Sequence, residues 1–188
     1  MAEAKTWVLT DQATRVWVDS IEIGSGDLGL ADEGWSIRKT TLRGGPCDGV
    51  DIIEVDNGAL SFSVLPTRGM GIWKGAYKGL DLAWNSPVKG PVHPSLIDLQ
   101  DRGGLGWLAG FDEVVVRCGL DSMGAPGTDV VPNNMGVPSE VALTLHGKIA
   151  NIPASEVIVT VDRETPYTIR VRGRVDERVF FGPKLELW

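Results

Sequence analysis

A histidine and two arginines beside glycines are the residues of this sequence best placed to do chemistry. His146 follows a short apolar run and precedes a glycine, so its ring is predicted at a strand end where the backbone turns. Histidine is the side chain most easily poised near neutral pH to donate or accept a proton. Arg102 and Arg68 each carry five N–H donors next to glycines that let a ligand approach the backbone. These residues predict a site for a small polar ligand, and a structural histidine with surface arginines is the alternative.

Tryptophan is unusually frequent, with seven Trp against four Phe and two Tyr. An indole offers a flat face for the C–H side of a sugar ring and an N–H for a hydroxyl. Trp73, Trp84 and Trp107 lie next to glycines or turn residues and are the candidates for such a contact. The alternative is that these rings fill the core of an all-β protein.

The elements that must position these residues are predicted to be short β-strands. Apolar segments rich in β-branched and aromatic residues recur between turn signals, and no segment has a long helical period. The predicted strands cover residues 17–23, 50–55, 60–65, 111–118, 156–161 and 168–171. Residues 56–58 predict a hairpin turn, residues 94–100 a short helical turn and residues 119–139 a loop. The predicted fold is all-β, with two packed antiparallel sheets.

Composition and charge exclude several classes of protein. The 188 residues are enough for one domain with a real core, and 43% hydrophobic with 23% charged residues is typical of a globular chain. The net charge of −7 argues against nucleic acid or an anionic membrane as a partner. No segment approaches the roughly 20 apolar residues that span a bilayer, and no signal peptide is evident. We therefore expect a cytoplasmic protein with a small-molecule ligand.

Motifs for metals, nucleotides and acyl transfer give no support for a cofactor. Gly24, Gly26 and Gly29 spell G-x-G-x-x-G, but no helix-forming segment follows, so a glycine-rich turn is the better interpretation. Cys47 and Cys118 predict free thiols, and the two histidines lack the spacing of a zinc site. We expect neither a metal nor a cofactor. A carboxylate pair for glycoside hydrolysis is permitted, but no spacing singles out two acidic residues.

Three segments together resemble one known family. They are LPTRGMGIWKGAYKGLDLAWNSP, which contains Arg68, DRGGLGWLAGFDEVVVRCGLDSMGAP, which contains Arg102, and LTLHGKIANIPA, which contains His146. In this order the sequence, from about Arg43 onwards, is similar to the DUF4432 family within the aldose 1-epimerase or galactose mutarotase-like superfamily. The resemblance implies a large antiparallel β-sandwich, called a supersandwich, that binds sugar in a cleft on one concave sheet.

The resemblance also implies roles for individual residues. Related hexose-phosphate mutarotases carry an Arg-Gly-Gly motif and then a His-Gly motif, which match this chain at Arg102 and His146. Where those relatives place an arginine after the histidine, this chain has Ala150 and then Asn151, which leaves the binding of a sugar phosphate open. The candidate set is His146 as the catalytic residue, with Arg68, Arg102, Trp107 and Asn151 as substrate-binding residues.

Mutarotation requires a base that takes the proton of the anomeric hydroxyl and an acid that protonates the ring oxygen. In the superfamily these are a glutamate and a second histidine, both from strands after the His-Gly motif. No histidine follows His146 here, and no later glutamate lies in a matching motif. We therefore expect either the N-terminal part of an aldose 1-epimerase-like enzyme or a non-catalytic carbohydrate-binding or sensing module. Residues 1–188 are expected to form a single, incomplete β-sandwich domain that pairs with a second copy or is poorly soluble.

Overall fold

The computed structural model describes residues 4–31, 33–180 and 182–188, and most of them lie in or between β-strands. The strands are β1 (Ala4–Asp11), β2 (Val16–Trp17), β3 (Ile21–Gly24), β4 (Ser36–Thr41), β5 (Asp51–Asp56), β6 (Leu60–Leu65), β7 (Gly71–Tyr77), β8 (Leu80–Leu82), β9 (Gly127–Pro132), β10 (Pro138–Leu143), β11 (Glu156–Asp162), β12 (Ile169–Arg178) and β13 (Lys184–Leu187). Short helical turns connect them at Ser25–Leu28, Gly45–Cys47, Pro66–Arg68, Pro94–Leu96, Asp101–Gly104, Gly106–Gly110 and Ile149–Asn151.

Two antiparallel sheets make up most of the molecule. The first has five strands in the order β13-β12-β11-β1-β2, and the second has six strands in sequential order from β3 to β8. The strands β9 and β10 form a separate two-stranded hairpin. Each of these pairings is antiparallel, and the helical turns are at most five residues long in the described part of the chain. The predicted all-β sandwich is therefore confirmed.

The main core lies between the inward faces of the two sheets. Val157, Val159 and Val161 of β11 are fully buried, whereas the residues between them are half-buried. Branched side chains at every second position suit this arrangement, because successive side chains of a strand point to opposite faces. Met70 and Ile149, which lie next to or in connecting turns, join the same core. The core thereby anchors the turns that carry the candidate site.

The hairpin turn predicted at residues 56–58 forms between β5 and β6. Asn57 Oδ1 accepts hydrogen bonds from the backbone N–H groups of Ala59, at 3.0 Å, and Leu60, at 2.8 Å. Gly58 has a φ of 83°, which glycine adopts without steric cost. Strand β6 then leads directly into the turn that carries Arg68.

The predicted strand at 17–23 is divided between the two sheets, because β2 pairs with β1 and β3 pairs with β4. The glycine motif that follows forms the short turn Ser25–Leu28, closed by Gly29 at a φ of 75°. No long helix begins there, so the interpretation of this motif as a turn is confirmed. The helical turn expected at 94–100 is present in shorter form at Pro94–Leu96.

The prediction of a strand at residues 111–118 is wrong. This segment joins the six-stranded sheet through an isolated bridge between Val115 and Ile72 and through a bond from the backbone N–H of Val114 to the carbonyl of Trp73. Asp112 and Glu113 are buried there and bind a tryptophan of β7 and the arginine of the neighbouring turn. Side-chain bonds of these two carboxylates replace the regular ladder that the apolar composition suggested.

The loop predicted at 119–139 is also wrong in part, because it contains β9 and the beginning of β10. The turn between the two strands is closed by Asn133, whose Oδ1 accepts from the backbone N–H groups of Met135 and Val137. All residues of β9 are exposed, so the hairpin projects from the sandwich. An exposed hairpin has no buried face, so its sequence lacks the alternation of apolar and polar residues by which strands are predicted.

Candidate functional site

Two glycine-rich turns place the Arg-Gly-Gly and His-Gly motifs side by side. The backbone N–H of Leu145 donates to the carbonyl of Gly104 at 2.8 Å, so the turn Asp101–Gly104 contacts the segment that precedes His146. Gly104 has a φ of 91°, and a Cβ there would lie 2.9 Å from a side-chain atom of Pro126. Only glycine allows this approach. The two motifs, distant in sequence, are neighbours in the structure.

His146 is fixed through its backbone, and its ring is left free. Its φ of 56° is uncommon for a residue with a Cβ. Its N–H donates to Gly124 at 2.9 Å, and its carbonyl accepts from Gly119 at 2.8 Å. The half-buried imidazole packs edge-on against the Trp107 ring, with 5.0 Å between centroids. No side chain of the described residues forms a hydrogen bond or ion pair with the imidazole, so both ring nitrogens are available to a ligand.

Arg102 lies at the surface of the same region. Its side chain is 59% exposed, and its Nε lies 3.5 Å from a carboxylate oxygen of Asp101. None of the five cavities measured in the described part of the chain is lined by Arg102 or by His146. The structure thus joins the two motifs through their backbones, and both side chains lie outside these cavities.

Arg68 is buried and ties two other segments together. Its side chain is 1% exposed, and its Nε lies 2.5 Å from Oε1 of Glu113, which is equally buried. Its Nη1 donates to the carbonyl of Val92 and to Oδ1 of Asn151, each at 3.0 Å. Two of the predicted binding residues, Arg68 and Asn151, are therefore in direct contact, and the guanidinium sets the position of the amide.

Among the described residues, two buried donors in this neighbourhood have no partner: Nε1 of Trp107 and Nδ2 of Asn151. Oδ1 of Asn151 faces a guanidinium, which has only donors, so the orientation of the amide is fixed by chemistry. A Cβ on Gly110, in the same turn as Trp107, would lie 3.0 Å from the Arg68 guanidinium, so this turn packs directly on Arg68. A buried donor without a partner costs about 1–3 kcal/mol. A ligand oxygen that accepts from these groups would remove that cost.

The sequence analysis missed Glu113 as a partner in this arrangement. The only signal is the acidic pair Asp112 and Glu113 inside an apolar segment. Adjacent residues of an extended chain face opposite sides, so one of the two carboxylates had to face inward and find a cation. The sequence does not reveal that the cation is Arg68, which lies 45 positions away.

Lys148 fixes the segment that follows the His-Gly motif. Its Nζ lies 2.8 Å from Oδ2 of Asp121 and 3.4 Å from Oε1 of Glu177. Partial burial opposes the charge, but the two carboxylates outweigh it and raise the pKa of Lys148. Glu177 also accepts from the backbone N–H of Leu120 at 3.0 Å. These contacts tie the loop around Leu120 and the His-Gly motif to β12.

The described residues contain no group of three or more histidine, cysteine or acidic side chains arranged to hold a metal. Cys47 and Cys118 are free thiols, as predicted. In the same residues no helix has both the length and the apolar character needed to cross a membrane.

A solved structure is similar to this chain over almost all of its length. It is the crystal structure of a "putative aldose 1-epimerase" from Klebsiella pneumoniae subsp. pneumoniae, which is 39% identical and superposes with a TM-score of 0.86. The similarity covers 98% of this chain and 46% of the Klebsiella chain, so this chain spans less than half the length of that protein. No curated protein matches at a significant level.

The fold and the order of the motifs define a β-sandwich of the galactose mutarotase-like superfamily. The chain belongs to the DUF4432 family, described as a domain of unknown function, whose family model matches residues 47–188. Both the family and the fold that the sequence resemblance implied are confirmed.

Proposed function

We propose that this chain binds a monosaccharide ring and provides part of the catalytic site of an aldose 1-epimerase-type enzyme. The observation that carries the proposal is a pair of buried donors without a partner among the described residues: Nε1 of Trp107, whose ring packs against the imidazole of His146, and Nδ2 of Asn151, whose Oδ1 is held by Arg68. A sugar ring offers hydroxyl oxygens to such donors and a C–H face to an indole. The similarity to the Klebsiella protein, which is named a "putative aldose 1-epimerase", also supports a sugar ligand.

The proposed ligand is an unphosphorylated sugar. Phosphate recognition in proteins relies on arginine or lysine, arginine often as a bidentate partner. The resembling hexose-phosphate mutarotases place an arginine where this chain has Ala150, which is buried, and Asn151. The net charge of −7 further disfavours an anion.

In the proposed reaction a base removes the proton of the anomeric hydroxyl, the bond between C1 and the ring oxygen breaks, and an acid protonates that oxygen. Rotation about the C1–C2 bond and closure on the other face of the aldehyde exchange the anomers and return both protons. His146 transfers a proton at one of these two oxygens, since an imidazole carries both a donor and an acceptor nitrogen. In this proposal the second proton-transfer group lies outside residues 1–188. It belongs to a part of the fold that corresponds to the remaining length of the Klebsiella protein.

The other candidate residues bind or position. Trp107 and Asn151 donate to ring hydroxyls, and Arg102 contacts the sugar at the exposed rim of the site. Arg68 is a positioning residue, because its buried guanidinium reaches Asn151 and not the surface.

A non-catalytic carbohydrate-binding or sensing module is the second candidate function. The observation that favours it is the absence, among the described residues, of any carboxylate bonded to the imidazole of His146. One ionisable ring with neutral donors around it can bind a sugar without opening it.

Anomer exchange of D-glucose and D-galactose, measured by saturation-transfer NMR on the longer chain that includes the second proton-transfer group, tests the proposal. We expect His146→Ala to lower the protein-dependent exchange rate at least about a hundredfold, as for loss of a general acid or base. His93→Ala is the matched control, because His93 is the other histidine of the chain and its Nδ1 is hydrogen-bonded to the hydroxyl of Ser95 at 2.8 Å. Unchanged exchange in His146→Ala would contradict the proposed site. Sugar binding to the wild-type protein without exchange would favour the non-catalytic module.

We also propose that residues 1–188 form one β-sandwich domain that is the N-terminal part of a larger mutarotase-like domain. A single main core that draws on both large sheets supports this proposal. The 46% share of the Klebsiella chain supports it as well.

A further inference from the structure

A cavity of about 230 Å³ is lined by residues of β7 and of the segment 83–90. Its principal lining residues are Trp73, Lys74, Trp84, Asn85, Lys89 and Asp112. None of the five residues proposed to act on the sugar near His146 lines it. We call it the Trp84 cavity.

Trp84 forms an exposed aromatic wall of this cavity. Its side chain is 41% exposed although it is large and apolar. Its ring packs on Phe111 with 4.9 Å between centroids, and Phe111 packs in turn on Trp107 at 4.6 Å. The indole is thereby supported from within the protein while part of its surface faces solvent. An aromatic ring fixed in this way can stack with a ligand at low entropic cost.

The segment that carries Trp84 is held in place by Ser86. This serine is 2% exposed, its hydroxyl donates to the carbonyl of Phe111 at 2.8 Å, and the backbone N–H of Val88 donates to it at 3.0 Å. The wall is therefore largely pre-formed, as binding sites for small molecules usually are.

Asp112 forms the polar floor of the cavity. Asp112 is 9% exposed, and its Oδ2 accepts a hydrogen bond from Nε1 of Trp73 at 2.9 Å. No donor of the described residues reaches its Oδ1. Burial, the largest influence, raises the pKa of Asp112 above its usual range. A nearly buried carboxyl with one unused oxygen is a costly group unless a ligand or water completes its hydrogen bonds.

Donors among the other lining residues complement this acceptor. Lys89 Nζ donates to Oδ1 of Asn85 at 3.1 Å and to the carbonyl of Ser86 at 2.9 Å. The bond to Oδ1 leaves the NH2 group of Asn85 free to donate to a ligand. Lys74 Nζ lies 4.2 Å from the centroid of the Trp73 ring and so covers part of that indole. The cavity combines one open aromatic wall with donors and an acceptor.

We propose that the Trp84 cavity is a second carbohydrate-binding subsite, in which a pyranose ring stacks its C–H face on Trp84 and its hydroxyls bond Asp112 and Asn85. Sugar hydroxyls both donate and accept, so one ring can bond the acceptor Asp112 and the donor Asn85. A simple anion would meet the Asp112 carboxylate, and a simple cation would meet Lys74 and Lys89. The inference goes beyond the proposed function, because it assigns a second site and needs no catalysis.

Indole N–H signals in 15N-resolved NMR spectra test the subsite, because the seven tryptophans give one signal each. We expect D-galactose or D-glucose to shift the signals of Trp73 and Trp84 along a saturable curve. Trp84→Ala should raise the apparent Kd, read on the Trp73 signal, about tenfold or more, whereas Trp84→Tyr should keep it within about threefold. Asp112→Asn, which removes the charge and keeps the shape, should weaken binding about fivefold.

Two controls separate the subsite from general effects. Trp188→Ala removes another half-exposed indole, one that stacks on Arg172 and lies outside the Trp84 cavity, and should leave sugar binding unchanged. Sorbitol carries hydroxyls but no ring, so it should shift the Trp73 and Trp84 signals much less than galactose does. Equal shifts with sorbitol would overturn the proposal.

The Trp107 signal makes failure of the two proposals distinguishable. If galactose moves only the Trp107 signal, the subsite is overturned and the site near His146 stands. If it moves Trp73 and Trp84 in a manner that Trp84→Ala abolishes, while Trp107 does not respond, the subsite stands and the site near His146 fails. No response of Trp73 and Trp84 up to high sugar concentration overturns the subsite. If Trp84→Ala disturbs the remaining indole signals, Trp84→Tyr and Asp112→Asn still decide the question.

Discussion

Arg68 shows how a single buried charge can organise a site that it does not line. Its guanidinium is almost inaccessible, yet it reaches a carboxylate, a carbonyl and the amide of Asn151. A buried ion pair gains little over apolar residues of similar size, but removal of one partner leaves an uncompensated charge. We therefore expect the role of Arg68 to appear in stability as well as in sugar binding.

Arg68→Met should lower the free energy of unfolding by about 3–5 kcal/mol, because Glu113 is then buried without a counter-charge. Arg38→Met is the matched control: Arg38 pairs with Glu54 at 2.7 Å, but the two side chains are 58% and 39% exposed. An exposed pair of this kind contributes little, so Arg38→Met should lose much less stability than Arg68→Met. Urea unfolding of both variants measures the difference. Similar small losses in both would show that the buried pair is not required.

At the scale of elements, the candidate site depends on turns in left-handed backbone conformations. Arg102 and His146 are non-glycine residues at φ values of 51° and 56°, and each precedes a glycine that is also left-handed. Such conformations cost energy and persist only where the surroundings impose them. Strain at two adjacent turns is consistent with a functional requirement for the positions of these side chains.

Gly147→Ala should disrupt this arrangement, because a Cβ there would lie 2.5 Å from the carbonyl oxygen of Gly119. We expect a loss of roughly 3 kcal/mol or more in unfolding free energy. Gly124→Ala is the matched control: its φ is also positive, at 97°, but nothing lies within 4 Å of the position that a Cβ would take there. It should cost only about 1–2 kcal/mol, from backbone strain alone. Equal losses of unfolding free energy in the two variants would mean that the backbone at Gly119 moves to accommodate the added Cβ at little cost.

Elements with a strong local signal could be predicted from the sequence, and elements defined by distant contacts could not. The β5–β6 hairpin follows from Asn57 and Gly58, whose side chain and conformational freedom act within three residues. The segment 111–118 looks like a strand by composition, but its buried carboxylates bind Trp73 and Arg68 across the fold. Likewise, the motifs indicated His146 and Arg102, whereas the contact between Arg68 and Asn151 depends on tertiary structure.

At the scale of the whole molecule, buried and exposed carboxylates make opposite contributions to the pH dependence of stability. Burial raises the pKa of Asp112 above its ordinary value of 3.8, with Glu113 acting in the same direction and Trp73, Lys89 and Arg68 acting against it. The folded state therefore holds this proton more tightly than the unfolded state. Its contribution to stability is complete below pH 3.8 and declines as the pH rises through the raised pKa.

Asp112→Asn should therefore be more stable than the wild type at neutral pH, and this difference should vanish below the ordinary pKa of aspartate. Asp162→Asn is the opposite control, because a hydrogen bond from Arg170 lowers the pKa of Asp162. That carboxylate stabilises above its ordinary pKa and loses its effect as the pH falls through the lowered value. Urea unfolding across the acidic to neutral range measures both differences. The same sign for both variants would contradict the assignment.

The β9–β10 hairpin has a practical consequence for the whole molecule. It leaves the sandwich between Gly119 and Gly147, which are joined by an isolated bridge, and by hydrogen bonds from Lys148 and Ile149 to the carbonyl of Gly119. The far end of the hairpin is open to solvent, with Met135 81% exposed. A foreign epitope or fluorescent label spliced in around residue 135 would therefore be carried on the outside of the molecule.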